Sequence, residues 1–186
     1  MALLRAGAAR GHAILIGAFV VYLALLVWGV LWKFEMPFVG AAWALPRPFK
    51  LVPFVASGDA GASEPLELLA NLLLFVPFGL YVALLASRWR WWAATGAFAA
   101  SSLLLEITQH VISTGSFDIT DVIVNTLGGL AGLALFVAAR RVLHERTDAV
   151  VGRVLVVGTA VALVAVAVFA VSPLQFHQPR DVVVER

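Results

Sequence analysis

Residues 105 to 125 read LEITQHVISTGSFDITDVIVN and place Glu106, Gln109, His110, Asp118, Asp121 and Asn125 within one short stretch. These side chains are suited to handling protons, cations and polar headgroups. Two carboxylates in different surroundings divide acid and base roles, or share a divalent cation. Amides match hydroxyl, amide or ammonium groups, and an imidazole exchanges protons near neutral pH. Glu106, Gln109 and His110 stand at i, i+3 and i+4, which is one helical face, and Asp121 and Asn125 lie one turn apart on another. Asn71, in NLLLFVPFGL, is a further amide in an apolar run.

Each of these residues also has a structural reading. Asp118 before Ile119-Thr120-Asp121 has the pattern of a helix N-cap with an acidic residue in the first turn. Glu106 suits an interhelical hydrogen bond, and Gln109, Asn71 and Asn125 suit the amide contacts that tie membrane helices together. His110 lies close to a surface connection and suits an interfacial position. No P-loop, serine elbow or zinc-type His-Glu spacing is present, and the absence of cysteine excludes disulfides, thiolate metal sites and a cysteine nucleophile.

The elements that position these groups must sit in a bilayer. The 186 residues are 62% hydrophobic and 13% charged, with mean hydropathy +0.97, outside the range of a soluble domain. Stretches near the 20 residues needed to cross a bilayer core lie at 13–32, 66–86, 91–112, 121–139 and 154–172. Spans must be helical, because open strands leave amides unsatisfied in lipid and barrel alternation is absent. The expected fold is therefore all-α, a polytopic bundle of about five transmembrane helices forming one domain over 1–186.

With the amino terminus inside, the inner segments hold eight of the 13 Lys and Arg residues and the outer segments five. The contrast is sharpest between RRVLHERTDAVVGR (140–153), expected inside, and STGSFDIT (113–120), which lacks cations. This orientation places the carboxyl terminus outside and gathers Asn71, Glu106, Gln109, His110, Asp121 and Asn125 just under the outer surface. An intramembrane carboxylate is costly enough to read as functional by default, facing the bundle interior or a wet cavity. The outer connection, 33–65, mixes prolines at 46, 48 and 53 with Trp43, Phe49, Val52 and Phe54, which suits a lip at headgroup level. Ser63 near Glu67 suits a cap for the second span. Pro77 frees the carbonyl of Leu73 and can kink that span. Gly128 and Gly132 form a G-x-x-x-G face for close helix packing. That face and the fifth span are the candidate surfaces for a homo-oligomer. Small net charge and scattered cations argue against a nucleic-acid partner.

In order and spacing, NLLLFVPFGL (71–80), LLLEITQ (103–109) and FDITDVIVNTLGGLAG (117–132) resemble the signature segments of the VanZ-like membrane proteins, and LVPF (51–54) resembles a further family element in the outer loop. The resemblance covers about the middle half of the chain. It implies polar family positions at Asn71, Glu106, Gln109, Asp118, Asp121 and Asn125. It also implies a bacterial cell membrane and an association with glycopeptide, specifically teicoplanin, resistance, without specifying a reaction. Family members often carry an arginine shortly before Phe-Asp. Here Gly115 and Ser116 stand there, which weakens any mechanism that needs a fixed cation to hold phosphate.

Three functions are consistent with these residues. The first is binding or remodelling of a membrane lipid or lipid-linked cell-wall precursor in a polar outer-leaflet pocket. In the second, an enzyme acts on a lipid headgroup with Glu106 and Asp121 as catalytic acid, base or divalent-cation ligands. The third is cation- or proton-coupled transport, disfavoured by five short helices without an inverted repeat. In the first two, Asn71, Gln109, Asp118, Asn125 and His110 form the substrate-binding set. Whether the protein is an enzyme stays open at this level.

Overall fold

Backbone amides in hydrocarbon must be satisfied within their own segment, and these sequences meet that demand as helices. The computed structural model describes residues 2–32, 49–55 and 65–171. They form α1 (Ala2–Trp32), α2 (Pro65–Leu85), α3 (Trp91–Val111), α4 (Ile119–Leu143) and α5 (Thr147–Val171), with a 3-10 turn at His144–Arg146 between the last two. No strand occurs among the described residues. A single isolated parallel bridge joins Lys50 to Asp118.

Three described segments are long and apolar enough to cross a membrane: Ala9–Trp32, Pro65–Leu85 and the 51-residue run Ile119–Phe169. The last is more than twice the length a bilayer core requires. It is broken where His144 takes φ 49° and its N–H bonds back to the Arg140 carbonyl. α3 does not qualify by hydropathy, because Ser101, Ser102, Glu106, Gln109 and His110 dilute its apolar content. Several helices overrun the expected spans: α1 starts at Ala2, α4 runs to Leu143 and α5 starts at Thr147. Helical hydrogen bonding continues past the apolar core into polar ends such as Arg140-Arg141.

Successive helices alternate in direction, as their contacts show. Gly128 and Gly132 of α4 lie against the Leu72 and Val76 carbonyls of α2, so the residue numbers advance together and these two helices are parallel. Between α3 and α4 the contacts run in opposite senses: Phe98 lies on Gly129, Ser102 on Asn125, and Glu106 on the Asp118 amide. α1 opposes α2, with the Tyr22 hydroxyl donating to the Leu74 carbonyl at 2.6 Å and Phe19 packed on Tyr81. α5 also opposes α2, with Gly152 facing Leu84 and, one turn on, the Tyr81 hydroxyl donating to the Leu155 carbonyl at 3.3 Å and lying 2.8 Å from Thr159 Oγ1.

The core is built from Tyr22, Leu26, Phe75, Phe78, Tyr81 and Phe98, which are buried where α1, α2 and α3 meet. The glycine face is consumed inside the chain. A methyl group on Gly128 or Gly132 would run into the Leu72 or Val76 carbonyl. The close helix packing expected of this face is met by α2 of the same chain. α5, by contrast, exposes Val154, Val157, Val161, Val164 and Val168. Pro77 is accommodated within a continuous α2, and the Tyr22 bond falls in the turn before it. Trp43, Ser63 and the prolines at 46 and 48 lie outside the described residues.

Candidate functional site

α2 and α4 begin at one end of the bundle, and α1 and α3 finish there. The short connection after α3 returns the chain at once, with Asp118 as the N-cap of α4, its Oδ1 accepting from the Thr120 N–H at 2.8 Å. The capping role expected from the sequence is therefore present. Glu106, only 1% exposed in the last turns of α3, accepts from the Asp118 N–H through Oε2 at 2.9 Å. One carboxylate thus secures the backbone of the residue that caps the next helix.

The described part of the connection between α1 and α2 docks on this junction. The Lys50 N–H donates to the Phe117 carbonyl at 2.8 Å, and the Ile119 N–H donates to the Lys50 carbonyl at 3.0 Å. The Phe54 N–H donates to Thr120 Oγ1 at 3.1 Å. Lys50 is only 7% exposed, and its Nζ lies 3.6 Å from Asp118 Oδ2. Phe49 covers His110 with ring centroids 4.2 Å apart and reaches Phe117 at 5.7 Å. Leu51, Val52, Phe54 and Val55 stay exposed. An apolar surface over a polar knot is the character expected of a lip at headgroup level.

Gln109 is buried, and its Nε2 donates to the Val30 carbonyl at 2.8 Å, tying α3 to α1. One turn below Glu106, Ser102 Oγ accepts from Asn125 Nδ2 at 2.8 Å, and both residues are fully buried. Asn125 Oδ1 and His110 Nδ1 are buried without a hydrogen-bond partner among the described residues. Asp121 is half-buried in the first turn of α4, and Asn71 is half-buried on α2, next to the Leu72 carbonyl that meets Gly128. Glu106, Asp118, Gln109, His110, Asp121 and Asn125 thus share one end of the bundle, with Asn71 on the adjoining helix.

Sequence reasoning missed Lys50: Gly115 and Ser116 carry no cation, and Lys50, far away in sequence, places its ammonium against the Asp118 carboxylate. Glu106 and Asp121, the candidate ligands for a divalent ion, both lie at this end of the bundle. Ser102 was also missed. Its signal was its position one turn before Glu106 on the same face.

The VanZ/LLP1 family profile matches residues 19–141, which include every residue of this cluster. The chain is 31% identical over 130 residues to Protein VanZ of Enterococcus faecium, covering 70% of this chain and 78% of that protein. No solved structure matches it. The profile spans well over half the sequence, and the motifs it covers are the ones assembled at the helix ends; the chain belongs to the VanZ-like family of membrane proteins.

Proposed function

We propose that this multi-pass membrane protein crosses the bilayer five times with its amino terminus inside. In this reading it grips the polar headgroup of a lipid or lipid-linked envelope precursor at its outer rim, and in doing so lowers susceptibility to teicoplanin. The alternation of helix direction supports the crossing count, since α3, though less apolar, joins two helices that run the same way. The observation that carries the binding reading is the junction of Lys50, Asp118 and Glu106. It joins the ends of α3 and α4 to a loop whose outer face is apolar, as a headgroup site fringed by acyl chains requires.

Lys50 is neutralised by Asp118, while His110 Nδ1 and Asn125 Oδ1 offer unused hydrogen-bonding capacity to hydroxyl, amide or ammonium groups. The engagement of Glu106 with the Asp118 amide favours a positioning role over acid-base chemistry. Native mass spectrometry of co-purified lipids tests the proposal, comparing the parent with Lys50→Met, Glu106→Gln and Asp121→Asn. The expected result is loss of a retained lipid and a matching rise in teicoplanin susceptibility. Unchanged lipid retention together with unchanged susceptibility in all three variants refutes it.

A further inference from the structure

The opposite end of the bundle holds a second feature. A hollow of about 220 Å³ opens where the end of α2, the start of α3 and the end of α4 come together. Its floor is formed by Val82, Ala94 and Phe136, each under 10% exposed. Trp89, Trp91 and Arg140 form its rim, with both tryptophans more than half exposed. Among the described residues Arg140 makes no ion pair; its guanidinium carbon lies 6.0 Å from the Phe136 ring centroid. An apolar slot between helices, flanked by interfacial indoles and closed by an unneutralised guanidinium, has the chemistry of a phospholipid site. The acyl chain fits the slot, the indoles sit at headgroup level, and the arginine is left for the phosphate.

We propose that this groove binds one anionic phospholipid, with its phosphate on Arg140 and an acyl chain lying between α2, α3 and α4. Charge identifies the occupant. The same end carries Arg88, Arg90, Arg141, Arg146 and Arg153, while Glu145 and Asp148 line a separate hollow with Arg140 and His144. Neither carboxylate lines the groove between α2, α3 and α4. A zwitterionic lipid offers the slot the same chain but gains less from the surrounding positive field. The site is independent of the headgroup reading above, because the two lie at opposite ends of the helices.

The test is native mass spectrometry of the full chain exchanged into phosphatidylglycerol or phosphatidylcholine of matched chain length. Arg140→Gln is expected to reduce the retained phosphatidylglycerol adduct by about fivefold, the worth of one interfacial cation, with a smaller loss for phosphatidylcholine, whose choline already offsets its phosphate. Arg141→Gln removes the same charge from a residue outside the groove and is expected to reduce the adduct clearly less than Arg140→Gln. Ala86→Trp, which fills the groove while keeping Arg140, is expected to remove it. Equal losses in the two arginine variants would reduce the effect to general surface attraction and overturn the proposal. An absence of preference for phosphatidylglycerol in the parent overturns it as well.

Discussion

Lys50→Met isolates the charge that pins the α1–α2 connection to α4. Methionine keeps the length of the stem and leaves the backbone bonds to Phe117 and Ile119 in place, so the loss is confined to the ion pair with Asp118 at 3.6 Å. At that separation the Coulomb attraction is about 5 kcal/mol for an effective dielectric near 20. Removing both groups from water offsets much of it. Asp118 also keeps its bond from the Thr120 N–H. The net cost of the substitution is then about 2 kcal/mol, between the roughly 0–1 of an exposed pair and the roughly 3–5 of a broken buried one. Read as local opening, that accelerates hydrogen exchange across 49–55 and 117–120 by about 30-fold, at roughly 1.4 kcal/mol per tenfold. The assay is exchange mass spectrometry in lipid nanodiscs on Lys50→Met, Asp118→Asn and the double variant. Because both single changes break one pair, the double is expected to be little worse than either alone. Strictly additive effects, or unaltered exchange in Lys50→Met, would refute the reasoning.

Gly132→Ala places a methyl group against the Val76 carbonyl and is expected to cost about 1–3 kcal/mol, seen as a lower midpoint in SDS unfolding. Gly96→Ala, where a Cβ meets open space, is expected to leave the midpoint unchanged or raise it. Gln109→Leu removes the tie from α3 to the Val30 carbonyl and is expected to destabilise by about 1 kcal/mol; an unchanged midpoint counts against that bond. The sequence has no cysteine, so single introduced thiols report orientation directly. Val55→Cys is expected to react with an impermeant maleimide in intact cells, and Arg141→Cys only after permeabilisation. The reverse pattern inverts the topology and removes the outer-leaflet site.

What the sequence disclosed follows the range of the interaction involved. The N-cap at Asp118 is a contact over two residues and was readable from local pattern. Glu106 to the Asp118 amide spans 12 residues, within the reach of a helical hairpin, so their meeting followed from helix direction alone. Gln109 to Val30 spans 79 residues, and only the type of contact, an amide across helices, was foreseeable. Lys50 was missed because no local signal says that its backbone will bridge Phe117 and Ile119. G-x-x-x-G spacing announces a close neighbour but does not name it, which is why α2 and a second copy of the chain were equally compatible with the glycines. α3 escaped the hydropathy criterion for the reason that makes it interesting: its polar face lowers the average over the whole helix.

The hairpin of α3 and α4 also explains why the polar groups stop where they do. Antiparallel helices joined by a short connection pair their residues in rungs, each further from the connection. The rung nearest it holds Glu106 and the Asp118 amide, the next Ser102 and Asn125, and the next Phe98 and Gly129. Charge gives way to hydroxyl and amide and then to an aromatic ring on bare backbone as depth increases. That order follows the rising cost of desolvating each type of group. A conducting pathway needs polar rungs to continue through the midplane, and the ring of Phe98 against Gly129 closes this one. Among the described residues these polar rungs end at Phe98, which makes it the decisive position for telling binding at one face from passage. Phe98→Ser is expected to weaken helix packing without creating proton or cation flux in proteoliposomes, and measurable flux in the parent protein would overturn this account.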